Sequence, residues 1–410
     1  MSQLNYLEKL LDGEIVEWIA LGDVTLIKTG QAVSKQAIST NPGQYPVINS
    51  GREPLGFIDK WNTDNDPIGI TTRGAGVGSI TWQEGKYFRG NLNYSVTIKD
   101  SANLEVRYLY HLLYQMQSAI QSLCTFDGIP ALNAGSLKEL EIPIPCPNNP
   151  KKSLEIQAEI VRILDAFTAM TAELTAELNM RKKQYNYYRD QLLSFETGEV
   201  EWKPLGELAE FIRGKRFTKK DYVVDGGVDV IHYGEIYTHY GTSSKITISQ
   251  VRSDLAESLR YAETNDVIVA SVGETIEDVG KAVAWLGKGK VAIHDDSYAI
   301  RHSLNPKYLS YCLQTEDFIS KKAKHISRGK VKRLLIDGIS KVRIPIPYPN
   351  DYEKSLAEQM RIVAILDKFD ALANSITEGL PREIELRQKQ YEYYRDLLLR
   401  FPKPEVMEGA

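Results

Sequence analysis

RKKQYNYYRDQLLSF fills residues 181–195, and RQKQYEYYRDLLLRF fills residues 387–401. Eleven of these fifteen positions are identical, so the chain repeats itself, and the repeat extends upstream. Glu17-Trp18, Leu21-Gly22 and Gly30 match Glu201-Trp202, Leu205-Gly206 and Gly214. Val47-Ile48 matches Val230-Ile231, Trp82 matches Trp285, and Tyr94 matches Tyr298. Arg107-Tyr108-Leu109 matches Lys307-Tyr308-Leu309, and the IPIP run at 142–145 recurs at 344–347. The helical tails agree closely, whereas the stretches between Gly30 and Pro143 and between Gly214 and Pro345 have diverged. A constant helical layer therefore carries two variable globular parts, and divergence confined to one layer implies that each part reads something different.

The constant layer has a heptad seam. Ile160, Leu164, Phe167, Thr171, Leu174, Leu178, Arg181, Tyr185, Tyr188, Leu192 and Phe195 alternate in steps of four and three. Ile362 to Phe401 repeats the pattern with four extra residues near Gly379-Leu380-Pro381, a stutter that Pro381 turns into a kink or break. Ser153 and Ser355 are the expected N-caps, with Glu358 completing a capping box. From Ser153 to Phe195, a helix spans about 65 Å. A seam this long needs a partner, and the other copy in the chain supplies one. Residues 1–12 resemble the end of a helical segment, so the two ends of the chain are expected to meet.

The 410 residues suffice for two or three domains. An apolar share of 42% and a charged share of 25% describe a globular chain, not a disordered one. No run of eighteen apolar residues occurs, and the opening MSQLNYLEKLLDGE has acids where a signal peptide needs an apolar core, so a cytoplasmic location is expected. The three cysteines are too scattered for a disulfide framework. The net charge of −4 excludes an overall basic protein but leaves room for local basic patches.

Short β-type runs punctuated by Gly, Asn and Asp fill residues 15–145 and 199–347, followed in each case by a helical patch near 104–123 or 305–325. Each half is expected to be an α+β domain. Between residues 321 and 333, seven of thirteen positions are Lys or Arg. Cations hold phosphates and short polar side chains read base edges. The candidate DNA-binding residues are accordingly Lys28, Lys35, Arg52, Arg73 and Asn93 in the first half. In the second they are Lys215, Arg216, Lys219, Lys220, Tyr233, Tyr237, Tyr240, Lys322, Lys324, Arg328, Lys330 and Lys332. A merely solvated face is the alternative for the 321–333 run. The aromatic-basic cluster of Tyr187, Tyr188, Arg189, Tyr393, Tyr394 and Arg395 is too rich for one narrow seam; it either docks a partner or packs against its own domains.

No catalytic or metal-binding residue is assigned. GETIEDVGK (273–281) fails P-loop spacing, no GxGxxG opens a helix, and no [ND]PP[YF] run is present. The six histidines show no metal-ligand spacing, and His294-Asp295-Asp296 reads as a turn between strands.

Two variable domains, each closed by an IPIP segment and a long helix ending QYxYYRDxLLxF, resemble the DNA specificity subunit of type I restriction–modification systems. GEVEWKPLGEL and YPVINSG…ITTRGAGVGSITW support the resemblance, which covers essentially the whole chain. It implies two tandem α/β target-recognition domains (1–150 and 199–350) separated by conserved helices (151–198 and 351–410). The helices would form an antiparallel coiled coil with pseudo-twofold symmetry. Each domain would read half of a split double-stranded DNA site, and the coiled coil would fix the gap. Two modification (methyltransferase) subunits would bind S-adenosylmethionine and methylate adenine, and restriction subunits using ATP and Mg would join them. This chain itself would hold no cofactor and catalyse nothing. A single-chain methyltransferase and a protein-bridging scaffold are the competing readings.

Overall fold

The computed structural model describes residues 6–51, 53–195, 198–375 and 378–403. The chain divides into two compact units, one of Met1–Ala172 with Glu385–Ala410, the other of Glu173–Ile384. Each unit thus combines one variable part with helical segments from both repeats.

In the first unit, Thr25–Thr29, Asn93–Ile98, Ile68–Thr71 and Ile80–Trp82 form an antiparallel sheet in that order. Ile68–Thr71 is central and buried along its whole length, the pattern of a strand covered on both faces. A second sheet orders Phe57–Ile58, Pro42–Ile48, Lys86–Arg89 and Thr63–Asp64, with the middle two strands parallel. In the second unit, Ala209–Arg213, Ser297–His302, Val267–Ala270 and Ala282–Trp285 repeat the first sheet's order. Ser243–Ser244 extends that sheet by one strand. Gly30 and Gly214 are equivalent: a Cβ at either would fall 2.3 or 2.0 Å from a backbone carbonyl of the neighbouring turn, so only glycine lets these segments meet.

Each variable part is tied to its helix by the same chemistry. The extended IPIP segment pairs with the strand holding the Glu-Trp dipeptide: Trp18 faces Pro143 in the first unit and Trp202 faces Pro345 in the second. Pro is tolerated because these are two-stranded ribbons with free edges. The hydroxyls of buried Tyr108 and Tyr308 donate to the Pro143 and Pro345 carbonyls. Gln157, fully buried, accepts the Glu105 N–H at 2.8 Å, and buried Gln359 accepts that of Asn305 at 2.8 Å. Arg107 pairs with Asp165 and Lys307 with Asp367.

One helix runs from Pro150 to Ser194. Its counterpart is two helices, Tyr352–Asn374 and Gly379–Leu399, with Pro381 in the first turn of the latter, where a missing N–H costs nothing. The four extra residues and Pro381 interrupt the helix; the seam position Ile376 lies outside the described residues. In the first unit Phe167 stacks on Tyr394 with ring centroids 5.1 Å apart, and in the second Tyr188 stacks on Phe369 at 5.3 Å.

Three expectations are corrected. Ser153 and Ser355 are not N-caps: Asn149 and Asp351 accept the capping N–H bonds, so the helices start a turn earlier, and both serines are buried acceptors for Gln157 and Gln359. Trp82 and Trp285 are not equivalent. Trp82 pairs with Ile68, whereas the matching register puts Ala284 opposite Val267. One residue of slip sends the two indoles to opposite sheet faces. The place that Tyr185 and Leu193 fill in the second unit is filled in the first by Tyr391 and Leu399 of the last helix, not by the N-terminal segment. The short helix Tyr6–Leu11 is an addition that buries Leu7 and Leu11. The described ends do meet: the Trp18 indole donates to the Pro402 carbonyl at 2.9 Å, and Lys403 lies over its ring.

Candidate nucleic-acid interface

In the second unit, the main cation-bearing segments converge. Residues 215–220 carry Lys215, Arg216, Lys219 and Lys220, all exposed. Phe217 between them is buried and packs against His232 and His294, at 6.1 and 5.0 Å between ring centroids. His232 caps the helix Tyr233–Thr238 through Nδ1, which accepts the Gly234 N–H. Burial, then the neighbouring His294, pushes His232 down to about 4. The His232 ring is therefore neutral near pH 7.

The second cationic segment is a loop, 326–334, closed by a bridge between Ile326 and Leu334. Its strand Lys332–Arg333 pairs with Val272–Gly273. The Tyr237 hydroxyl donates to the Val272 carbonyl at 2.6 Å, and Arg333 pairs with Asp296 at 3.1 Å. One continuous surface results: 215–220, the histidine cluster, the helix 233–238, and the loop 326–334 with exposed Arg328 and Lys330.

Several candidates fall away from this surface. Lys322 is buried; its ammonium donates to the Glu277 and Val279 carbonyls, and burial lowers it to about 8. It holds the 274–279 loop and cannot reach a phosphate. Tyr240 is buried, with its hydroxyl accepting the Ile248 N–H. Tyr233 and Tyr237 are half-buried, and Tyr237 is occupied by Val272. Lys324 is exposed and Lys332 half-buried.

In the first unit, Lys28, Lys35 and Arg73 are exposed, and Arg52 lies outside the described residues. Asn93 is fully buried and accepts from the equally buried Arg89, so it supports the sheet and reads no base. Arg73 sits where the turn 72–78 meets the loop 125–132, through an isolated bridge to Ala131. Geometry makes this loop the counterpart of 326–334. Leu132 N–H donates to the Thr72 carbonyl at 2.8 Å, and Leu334 N–H donates to the Ser271 carbonyl at 2.9 Å. Sequence reasoning missed Phe126 and Ile129 at this loop's tip and Phe217 in the other unit; it had Arg333 in the basic run and His294 in a turn, without joining them to this surface. The signal for the loop was a Gly within six residues of a matching Leu in both halves, at 128 and 329.

The aromatic-basic cluster splits. Tyr188 and Tyr394 are stacked on Phe369 and Phe167, and Arg189 is buried beside Asp190 and Asn186, so these three contribute to helix packing, with Tyr188 still 37% exposed. Arg395 is half-buried and pairs with Asp396. Tyr187 and Tyr393 remain 63% and 64% exposed, each edge-on to the next tyrosine.

His294, Asp295 and Asp296 come within 4.8 Å of one another. They form the turn between strands Val291–Ile293 and Ser297–His302. His294 Nδ1 accepts the Asp296 N–H and its Nε2 meets the Phe217 carbonyl, which leaves the ring no lone pair for a cation. Among the described residues no helix is long and apolar enough to cross a membrane.

The chain matches the type I restriction modification DNA specificity domain twice, over residues 14–181 and 198–386. It is 37% identical, over the full length of both chains, to the type I restriction enzyme EcoR124I/EcoR124II specificity subunit of Escherichia coli. The crystal structure of a type I restriction-modification S subunit from M. genitalium has the same fold, with a TM-score of 0.58 at 18% identity, covering 96% of this chain and 98% of that one. A chain from a structure described as underlying complex assembly and conformational transition of the type I system aligns at 15% identity and a TM-score of 0.58, covering 94% and 97%. Two exposed, differently furnished faces on a repeated scaffold, matched twice by that domain and at full length by that subunit, place the chain in the type I restriction–modification DNA specificity family.

Proposed function

We propose that this chain is the non-catalytic specificity subunit of a type I restriction–modification complex. Each variable domain, 1–150 and 199–350, reads one half of a bipartite double-stranded DNA site. The helices within 151–198 and 351–410 act as an antiparallel coiled coil that sets the gap. The observation that carries this reading is the pair of equivalent frames, with matching anchors, bearing unlike exposed loops: one frame should meet one kind of ligand, and unlike loops should select unlike sequences.

On this reading Lys215, Arg216, Lys219, Lys220, Lys324, Arg328 and Lys330 hold phosphates in one half-site, and Lys28, Lys35 and Arg73 do so in the other. Exposed Tyr187 and Tyr393, at matching repeat positions, are docking points for two modification subunits. Those partners supply S-adenosylmethionine and the pocket for a flipped adenine, and restriction subunits supply ATP- and Mg-dependent work. The complex acts in the cytoplasm, where the DNA is.

The test is to sequence methylated adenines in cells carrying the system, then to replace residues 199–350 with the matching segment of a relative. One half of the methylated motif should change while the other half and the gap persist. A motif that is continuous, or unchanged by the replacement, would refute the reading.

A further inference from the structure

The two equivalent loops, 125–132 and 326–334, occupy the same place in their frames but carry opposite chemistry. Both end on a buried Leu whose N–H donates to the residue that opens the neighbouring turn. Both carry a glycine near the tip, Gly128 and Gly329, and Gly128 has φ +92°. The tip of the second holds exposed Arg328 and Lys330. The tip of the first holds Phe126 and Ile129, 64% and 66% exposed, flanking Asp127 and Gly128.

The apolar tip is not a stray surface residue. Thr125 and Ala131 exchange both backbone hydrogen bonds, at 2.9 and 3.0 Å, and Gly74 N–H donates to the Pro130 carbonyl. The loop is thus a narrow, tied finger with a phenyl and a branched alkyl group at its end and Arg73 at its base. Presenting such a tip to water is unfavourable, so it is retained for contact. Asp127 at the same tip cannot hold a phosphate, and a carboxylate's place on a duplex is the major groove, where it accepts from cytosine N4, while Arg73 can hold a phosphate beside it.

The geometry points to a wedge: Phe126, backed by Ile129, inserts between base pairs of the half-site read by the first domain, whereas the second domain's equivalent finger holds phosphates with Arg328 and Lys330. This rests on the DNA-reading function proposed above. Apolar side chains inserted at a base step unstack it and bend the duplex, so the wedge reads the deformability of that step. The first finger therefore selects easily unstacked steps, and the second adds two of the salt-sensitive phosphate contacts.

The full-length chain is titrated with a duplex carrying the motif found from methylated adenines, with 2-aminopurine placed in turn along the first half-site, and with a scrambled duplex. Wild type should prefer the motif and brighten 2-aminopurine at one step. Phe126→Ala with Ile129→Ala should weaken motif binding about ten- to a hundredfold, abolish the brightening, and leave the salt slope unchanged. Phe126→Leu should retain most of the affinity. Arg328→Ala with Lys330→Ala should reduce the log–log salt slope by about 2 and leave the brightening intact. Both substituted tips are exposed, so the melting temperature should hold. A wild-type chain without sequence preference overturns both proposals. A selective wild-type chain whose affinity and fluorescence survive Phe126→Ala with Ile129→Ala overturns the wedge alone. So does a variant that loses capture of a modification subunit while binding the duplex normally, because the tip would then be a protein contact.

Discussion

Lys322 shows how a single side chain departs from its local composition. It stands in a run of seven cations, yet Phe318 and Lys322 share the inner face of the helix Glu316–Lys322 at a spacing of four. That spacing was legible; the two carbonyls that receive the ammonium, from Glu277 and Val279, were not, because they come from a distant loop. Lys322→Ala should cost about 2–4 kcal/mol in unfolding free energy, by stranding both carbonyls, and leave the salt slope of DNA binding unchanged. Its ionisation has a readable sign. Burial holds Lys322 near 8 in the folded chain, while the unfolded side chain titrates near its ordinary value of about 10.4. Above pH 8 the unfolded Lys322 side chain therefore binds more protons than the folded one, so the unfolding free energy of wild type relative to Lys322→Met should grow from pH 8 towards 10, measured by chemical denaturation of both. Half-buried Lys281 is shifted in the same direction, by partial burial. At the acid end, burial pushes both His302 and His232 down to about 4. The unfolded imidazoles bind protons near pH 6.5 and the folded ones do not, so stability should fall as pH drops from 6.5 to 4. His302→Gln should flatten part of that fall.

At the scale of elements, the helical layer was the most legible part, because side chains recurring at period 3.5 over about forty residues suit a paired helix and no strand or loop. The break after Asn374 followed from Pro381 and the four extra residues. Sheet register was less legible. Trp82 and Trp285 looked like partners because indoles are conspicuous, but a strand alternates faces at every residue, so a one-residue misalignment assigns a side chain to the wrong core. The helix starts were missed for a related reason: Ser153 and Ser355 have the chemistry of caps, but backbone position, set by Asn149 and Asp351, decides capping. Deleting the four residues 378–381 should join the two later helices and change the gap between half-sites, with each half-site sequence unaltered, read from the methylated motif. An unchanged gap would count against these helices as the spacer.

At the scale of the molecule, the duplication was visible at once, and so was the division between a constant layer and variable ones. What the linear pattern could not supply was which cations share a surface. Lys215 and Lys330 are over a hundred residues apart in sequence and are brought onto one surface through Phe217, His294, Asp296 and Arg333. The loop tip at 126–129 was hidden for the opposite reason, since Phe126 and Ile129 look like core residues until the fold leaves them outside.

One hydrogen bond, from the Trp18 indole to the Pro402 carbonyl, carries a topological consequence. After Ser194 the backbone proceeds by a peptide link into the strand Val200–Pro204. After Leu399 the last helix approaches the strand Val16–Ala20 in the same manner, but through noncovalent contact alone. The step that is covalent after Ser194 is thus reproduced by contact near Pro402. A permuted gene, fused across the present ends by a short glycine-rich linker and reopened between Phe195 and Gly198, should encode a protein that folds and reads the same motif.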